Sequence, residues 1–277
     1  MKRSIILMVC NGGSFITHQL SHIYDVADEI IIIEGADANF RKIIGAIRST
    51  DDTLKQIEDF ISTKDPAKKI KLILGDYPHK NAIVRAANSH CSGDYIYHVD
   101  VDEFLTHDVI DLSFNMLQKY DCILIPERWY YKWPDVYLRS GRPTGYQVCP
   151  GRFFKNKIDS GLSIGHIPWN GYYDKNFKHH TCSSVELAKN YYGYHFLAIY
   201  RYQLVHKMQY YVLRGDAPES VIQQKLGDFD VTKKSHVGNR RIPSYDNHLL
   251  MAEENPIAIF GPQRELIMTV NEKCGKC

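Results

Sequence analysis

Three carboxylates lie within four residues in the run Asp100-Val101-Asp102-Glu103. Residues 95–99 before this run predict a strand that is at least half buried, and Phe104-Leu105 return the chain to apolar surroundings. Carboxylates so close to a core repel each other unless a cation lies between them. Carboxylate oxygens with open coordination positions suit a hard divalent ion such as Mg²⁺ or Mn²⁺, which also takes phosphate oxygens. The run therefore predicts a metal site for a nucleotide diphosphate, with a solvated acidic loop as the alternative.

The elements before this run alternate between strand and helix signals. Strands are predicted at residues 4–9, 29–33, 69–74 and 94–99, and helices at residues 15–24, 51–61 and 81–89. Ser14 is the predicted cap of the first helix. This order predicts an α/β fold with a mostly parallel sheet and right-handed crossovers.

Polar residues follow all four predicted strands, namely Asn11, Glu34, Asp76 and the pair Asp100 and Asp102. Sheets of this kind bind ligands at the carboxyl ends of their strands. We therefore expect these side chains to converge on one edge of the sheet.

After residue 108 the pattern changes. Residues 122–126 predict a strand and residues 200–213 a helix, while the part between them is irregular and rich in Gly, Pro, Trp and Tyr. The tail beyond residue 225 is predicted to be polar and irregular. The prediction is one domain over residues 1–225, with two halves at 1–110 and 111–225, and a C-terminal extension at 226–277.

Composition excludes several classes of protein. The net charge of +2 is too small, and the basic residues too scattered, for a nucleic-acid-binding protein. Five of the seven cysteines are scattered and imply no disulfide framework, and the terminal Cys274/Cys277 pair predicts a flexible tail rather than a zinc site. No segment approaches the ~20 apolar residues of a transmembrane helix. The expectation is a soluble, cytoplasmic protein.

Residues 80–104 carry a family resemblance. They contain Lys80-Asn81, Ala86-Ala87 and Ser92-Gly93-Asp94-Tyr95-Ile96 before the acidic run. This segment resembles the donor-site region of GT-A glycosyltransferases, and most of all the family 2-like group. The start at residues 9–16 resembles that group's N-E-x-x-x-I, with Gly12 in place of Glu, and the second strand resembles D-E-I-I-I-V-D, with Glu34 in place of the last Asp.

The resemblance is good over residues 4–108 and patchy afterwards. Arg152-Phe153-Phe154 resembles an R-[LV]-F strand of these enzymes. Gly165-His166-Ile167 lies where V-H-E is frequent, with Ile167 in place of the acid. Residues 194–211 resemble an H-[YF]…K…Y segment.

The resemblance implies roles for individual residues. Asp102 binds the metal, Asp100 meets the metal or the ribose, and His195 is the expected third ligand, with His166, His179 and His180 as alternatives. The remaining donor-binding residues are expected to be Val9 and Cys10 through their backbone, Asn11, Glu34, Asp76, Lys80 and Arg85.

The implied reaction transfers a sugar from a UDP- or GDP-sugar to a glycan, a protein or a lipid-linked acceptor. Residues 1–110 are then expected to be the nucleotide-sugar-binding half, and residues 111–225 the acceptor half. Candidate bases for the acceptor hydroxyl are Asp174, His166 and Glu127. An aromatic platform for a sugar is predicted from Trp129, Tyr130, Trp133, Trp169, Tyr172 and Tyr173, with packing of the irregular half as the alternative. The rival functions are a sugar-phosphate nucleotidyltransferase, which normally has a basic Gly-rich loop that residues 11–15 lack, and a non-catalytic carbohydrate-binding protein.

Overall fold

The structure is a computed structural model. It describes residues 1–133, 135–139, 147–157, 172–174, 176, 178–181, 183–188, 190–239, 241–242, 244 and 248–252. The chain divides into two compact units, the first formed by Met1–Pro126 and Val148–Tyr191 and the second by Glu127–Gln147 and Tyr192–Cys277. The predicted division at residue 110 concerns donor and acceptor halves, and it stays a prediction.

The secondary structure alternates strands and helices over the first 116 residues. The strands are β1 (Arg3–Val9), β2 (Glu29–Glu34), β3 (Ile70–Leu74), β4 (Tyr95–Asp100), β5 (Glu103–Phe104), β6 (Cys122–Tyr131), β7 (Val136–Arg139), β8 (Gln147–Lys155), β9 (Tyr172–Tyr173), β10 (His179–His180), β11 (Ser184–Glu186), β12 (Gly193–Ala198), β13 (Arg241–Ile242) and β14 (His248–Ala252). The helices are α1 (Ile16–Ile23), α2 (Ala38–Ile44), α3 (Thr53–Lys64), α4 (Lys80–His90), α5 (His107–Met116), α6 (Arg201–Arg214) and α7 (Glu219–Val231). Among the described helices, none is both long enough and apolar enough to cross a membrane.

The first unit is built on a mostly parallel sheet with strand order β8-β4-β1-β2-β3. Strands β4, β1, β2 and β3 are parallel, and β8 runs antiparallel to β4. The predicted α/β fold with a mostly parallel sheet is confirmed. All four strands predicted before residue 100 are present, each within one residue of its predicted ends.

Strands β1 and β2 lie at the centre because both of their faces are apolar. Ile5, Leu7, Ile30 and Ile32 pack into one core cluster with residues of α1, α3 and α5. The intervening residues, such as Ile31, pack into a second cluster with residues of α4. Burial of each such aliphatic side chain stabilises the fold by roughly 1.5–3 kcal/mol. Because both faces of these strands are buried, their sequences are continuous apolar runs.

Two helices of the first unit were not predicted, and one predicted cap is wrong. Helix α2 is only seven residues long; Asp37 caps it and Gly45, at φ 73°, ends it. Helix α5 buries Phe114 and its neighbours in the core. Ser14 does not cap α1, whose first turn instead begins with the N–H groups of Phe15 and Ile16 donating to the carbonyl of Gly12.

The second unit contains the end of β6, with β7 antiparallel to it and β12 parallel to it. Strand β14 pairs with β7, and β13 with β14. The prediction of an irregular tail beyond residue 225 is wrong for the described residues of that tail, since α7 continues to Val231 and β13 and β14 follow. A five-residue strand such as β14 shows little local pattern, and its pairing with β7 stabilises it.

Candidate functional site

The carboxyl ends of four parallel strands lie side by side in the first unit. Asp100 is opposite Met8, Val9 is opposite Glu34, and Glu34 is opposite Leu74. Neighbouring strands are about 4.8 Å apart, so the ends of β4 and β3 are about 14 Å apart. The strand register therefore places these four strand ends side by side along one edge, as expected.

The acidic run changes from strand to turn in the middle. Strand β4 ends at Asp100, Asp102 lies half-buried in the turn that follows, and Glu103 begins the short strand β5. Arg152 reaches this run from β8, which pairs with β4. Its Nη2 atom donates to Asp100 Oδ2 at 3.0 Å and also to Glu103 Oε1. Arg152 and Glu103 are each only 6% exposed, so this guanidinium is a buried internal cation.

Asp100 stays charged in this setting. Burial raises the pKa of its carboxyl group, but the positive charges of Arg152, Lys80 and His98 outweigh burial and hold that pKa well below the usual range. Its side chain is 29% exposed, so a ligand can reach it. Carboxylate oxygens such as those of Asp100 and neighbouring Asp102 are the donors that Mg²⁺ and Mn²⁺ prefer, and this donor set fits such a cation.

The sequence predicted Arg152 only as part of a strand that resembles one in these enzymes, and its contact with the acidic run was not predicted. A signal was present, because an arginine directly before Phe153-Phe154 in a buried strand needs a carboxylate partner. The sequence did not indicate which of the chain's acids would supply it.

The loop after β1 is held by side chains of the segment that precedes α3. Asn11 has a left-handed backbone, with φ 57°, and its Oδ1 accepts from Thr50 N at 2.7 Å. The N–H groups of Asn11, Gly12 and Gly13 donate to Ser49 Oγ at 2.9 Å, Thr53 Oγ1 at 2.8 Å and Asp51 Oδ2 at 3.0 Å, respectively. This loop therefore uses its donors for contacts within the protein.

Glu34 is fully buried at the end of β2. Its Oε1 accepts from the backbone N–H of Ser49 at 2.7 Å, and its Oε2 lies 3.7 Å from Arg48 Nε. A nucleotide base or ribose reaches this carboxylate only if the Ser49 segment moves. The expected contact of Glu34 with the donor stays a prediction.

Asp76 follows β3 and is much more accessible, with a side chain that is 53% exposed. Nη1 of Arg41, in α2, donates to both of its carboxylate oxygens, at 2.7 and 2.9 Å. Val9 is buried at the end of β1, and its carbonyl accepts from the N–H of Gly35. Asp76 is therefore more accessible to a nucleotide-sugar donor than Val9 is.

Two predicted phosphate-binding residues lie on α4. Lys80 is half-buried at the first position of the helix, and its charge acts on Asp100. Arg85 is half-buried further along the same helix. Of the two, Lys80 has the better supported place beside the acidic run.

In the second unit, Glu127 and His195 are neighbours on adjacent strands. His195 Nδ1 lies 3.4 Å from Glu127 Oε2, which also accepts from Trp129 Nε1 at 3.2 Å. Lys207 Nζ lies 3.3 Å from His195 Nε2. Glu127 is buried and His195 nearly so, which makes this a compact polar cluster. Their predicted roles as base and metal ligand stay predictions.

The remaining predicted site residues fare differently. Asp174 accepts from His180 Nε2 at 2.8 Å and from the backbone N–H groups of Asn176 and Lys178, so it orders the turn between β9 and β10. The hydrogen bond from His180, followed by those backbone donors, lowers the pKa of Asp174, which makes it a weaker base. His179 also lies in β10. His166 and the terminal cysteines lie outside the described residues.

The predicted aromatic platform is wrong for Tyr130. This side chain is fully buried and stacks on Tyr194 and Phe196, with ring centroids 5.8 and 4.9 Å away. It therefore belongs to the packing of the second unit, as does the next residue, Tyr131, which is also fully buried. Trp129 and Trp133 are half-buried, while Trp169 and the side chains of Tyr172 and Tyr173 lie outside the described parts of the chain.

Comparison with known proteins yields similarities of structure. No protein-family model matches the chain, and no curated protein matches it significantly. Residues 1–349 of TarS from S. aureus have 15% identity and a TM-score of 0.44, over 83% of this chain and 70% of that one. The same part of TarS in complex with UDP-GlcNAc has 16% identity and a TM-score of 0.43, over 83% and 71%.

A third similar structure is glucosyl-3-phosphoglycerate synthase from Mycobacterium tuberculosis in complex with Mn²⁺, UDP-glucose and phosphoglyceric acid. It has 16% identity and a TM-score of 0.34, over 46% of this chain and 44% of that one. This chain thus spans less than half of that enzyme. With all three TM-scores below 0.5, the function has to be inferred from this chain's own residues.

Proposed function

We propose that this chain is a metal-dependent glycosyltransferase of the GT-A type that moves a sugar from a nucleotide-sugar donor to an acceptor. The observation that carries the proposal is the place of the acidic run, at the end of β4 on the carboxyl edge of a parallel sheet. Ligands of such sheets bind at this edge. Asp100 is ionised there, partly exposed, and in line with the strand ends that carry Glu34 and Asp76.

Each part of the edge has a task in this proposal. Asp100 and Asp102 hold Mn²⁺ or Mg²⁺, and Lys80 neutralises phosphate charge beside them. A divalent cation bound there supplies Lewis acidity, which stabilises the diphosphate as it leaves the sugar. Asp76 and Asn11 contact the nucleoside, and the edge of about 14 Å matches an elongated nucleoside diphosphate. The donor is a UDP- or GDP-sugar, and the acceptor is a glycan, a protein or a lipid-linked molecule.

The nucleotidyltransferase alternative is not favoured. Such an enzyme needs a loop after the first strand whose N–H groups hold phosphate. Here the N–H groups of Gly12 and Gly13 donate to Thr53 and Asp51, and Asp51 brings a negative charge to the loop. An anion at this position would displace two hydrogen bonds and face a carboxylate.

A thermal-denaturation series tests the proposal. The wild-type chain is heated alone, with Mn²⁺, with a UDP- or GDP-sugar, and with both ligands, and release of the nucleoside diphosphate is measured in parallel. The expected result is a melting temperature that rises most with both ligands, together with Mn²⁺-dependent donor hydrolysis. Binding to the native state alone stabilises it by mass action.

Two variants make this test specific to the acidic run. Asp102→Asn removes one carboxylate charge at nearly constant size, and it is expected to lose the metal-dependent part of the shift. Asp25→Asn makes the same chemical change at an exposed position in the turn after α1, and it should behave as the wild type. Equal metal-dependent shifts in Asp102→Asn and the wild type would contradict the proposed metal site.

A further inference from the structure

One buried cation touches two of the three carboxylates in the acidic run. Arg152 Nη2 donates to Asp100 Oδ2 at 3.0 Å and to Glu103 Oε1. Arginine keeps its proton in proteins, so this contact is a permanent positive charge. At 6% exposure for Arg152 and Glu103, salt in the solvent screens it little.

This charge lowers the net negative charge around the proposed metal site. Asp100, Asp102 and Glu103 bring three negative charges, and Arg152 offsets one of them within hydrogen-bond distance. Lys80 lies close enough to act on Asp100 as well. A divalent cation that arrives alone must therefore compete with a fixed guanidinium for an oxygen of Asp100.

A bound diphosphate makes binding of the metal ion more favourable. Its negative charges offset the repulsion between Arg152 and the cation, and its oxygens supply ligands that Mg²⁺ and Mn²⁺ take from phosphates in nucleotide sites. We infer that Arg152 makes metal binding depend on the nucleotide, so that the acidic run binds a divalent cation weakly by itself and tightly only together with a nucleoside diphosphate. This inference rests on the proposed function, and Arg152 acts in it as a positioning residue through Asp100 and Glu103.

The charge of Arg152 can be removed or kept by substitution. Arg152→Gln removes it, and the affinity for Mn²⁺ alone should then rise about tenfold or more, because unit charges a few ångströms apart near a surface interact by more than one decade of Kd. Arg152→Lys keeps a positive charge at the same place, and its affinity for Mn²⁺ alone should stay close to that of the wild type. A residue with only a structural role would lower stability in Arg152→Gln without raising this affinity.

Two further variants guard against loss of folding. Arg152→Gln leaves buried carboxylates without their donor, which is strongly destabilising in general. The double variant Glu103→Gln with Arg152→Gln removes one charge of each sign, so the local net charge returns to that of the wild type. Glu103→Gln alone makes the site less negative. Its affinity for Mn²⁺ alone should fall below that of the wild type.

The measurement is a titration of each full-length chain with MnCl₂, by calorimetry or by the electron paramagnetic resonance of unbound Mn²⁺, first without nucleotide and then with UDP. The inference is supported if affinity for Mn²⁺ alone follows the order Arg152→Gln, then wild type, Arg152→Lys and the double variant together, then Glu103→Gln. If Arg152→Gln does not fold, the order of the other four chains decides.

Equal Mn²⁺ affinity across all the chains without nucleotide would overturn the inference, as would a weaker affinity in a folded Arg152→Gln. Its failure differs from that of the proposed function. A wild type that binds no Mn²⁺ even with UDP or a nucleotide sugar contradicts the metal site itself. A wild type that binds Mn²⁺ and UDP together, with variants out of the expected order, removes only the role of Arg152.

Discussion

The two edges of the sheet in the first unit treat their acidic residues differently. At the amino edge, Glu29 accepts hydrogen bonds from the Ser4 hydroxyl, from the Ser92 hydroxyl at 2.6 Å, and from the N–H groups of Ser92 and Gly93 at 2.5 and 3.0 Å. At the carboxyl edge, Asp100 is held by the guanidinium of Arg152 and keeps a partly exposed side chain.

The difference lies in the kind of donor. Hydroxyl and backbone donors fixed by the strand ends surround the Glu29 carboxylate, and the exposed Lys2 Nζ lies 3.4 Å from its Oε2, so this residue ties three segments together. A single cation from another strand leaves Asp100 charged, with oxygens that a ligand can still approach. We therefore expect Glu29 to serve stability and the partly exposed Asp100 to be available for binding.

The largest expected effect is at the carboxyl edge. Asp100→Asn should lower metal-dependent donor turnover by about 100-fold or more, the upper range for groups that support metal sites. The physical reason is the loss of a charged oxygen donor where the metal and diphosphate meet. Steady-state kinetics with a nucleotide sugar and Mn²⁺ measure it. An Asp100→Asn variant with wild-type kcat/KM would break the comparison, because this edge would then have no catalytic task.

The next effect is at the amino edge, on stability. Glu29→Gln should lower the free energy of unfolding by about 1–3 kcal/mol at pH 7, since backbone and hydroxyl donors lose a charged acceptor. Donor turnover should be unchanged. Urea denaturation followed by circular dichroism measures the stability. Glu58→Gln, at an exposed position of α3, is the matched control and should change stability by less than about 0.5 kcal/mol.

The acids at the amino edge predict how the stability of the chain changes with pH. Burial raises the pKa of Glu29, but the hydrogen bonds from Ser4, Ser92 and Gly93 outweigh it and hold that pKa at about 2. Burial is likewise outweighed at Asp121, where Ser183 and two lysines hold the pKa at about 2. Both folded-state values lie below the unfolded values of about 4.3 and 3.9.

These two carboxylates therefore add stability that is fully present above about pH 5 and is lost as the pH falls toward 2. Urea denaturation at pH 7, 5 and 3 should show a falling midpoint in the wild type. A double variant, Glu29→Gln with Asp121→Asn, should show a flatter profile over the same range. A wild-type midpoint as high at pH 3 as at pH 7 would argue that these acids do not anchor the amino edge.

The smallest effect is expected for the ion pair of Arg41 and Asp76, which is exposed on the carboxyl edge. Arg41→Ala should lower the free energy of unfolding by less than about 1 kcal/mol, because solvent screens exposed pairs. If Asp76 contacts the nucleoside, Asp76→Asn should instead raise the KM for the donor while Arg41→Ala changes it little. Kinetics of both variants separate a binding role from a packing role at this edge.

Much of the first unit could be predicted from local pattern. Strands β1, β2 and β4 show their burial as apolar runs, and α1, α3 and α4 show helical spacing. The acidic run was recognised because three carboxylates beside a buried strand are unusual. Helix α2 was missed, since a seven-residue helix has too few turns for a period to emerge. Helix α5 was missed although Thr106 and Asp108 are common residue types at a helix start.

The sequence by itself determined the order of strands and helices before residue 100 and the position of the acids at a strand end, because both depend on neighbouring residues. Only the tertiary structure decided what those acids contact. Arg152 meets Asp100 across 52 positions and Glu103 across 49, and Glu34 is bound by a segment 15 positions away. Such contacts depend on how β8 pairs with β4 and how the loops fold back, and local pattern does not encode the path that brings distant charges together.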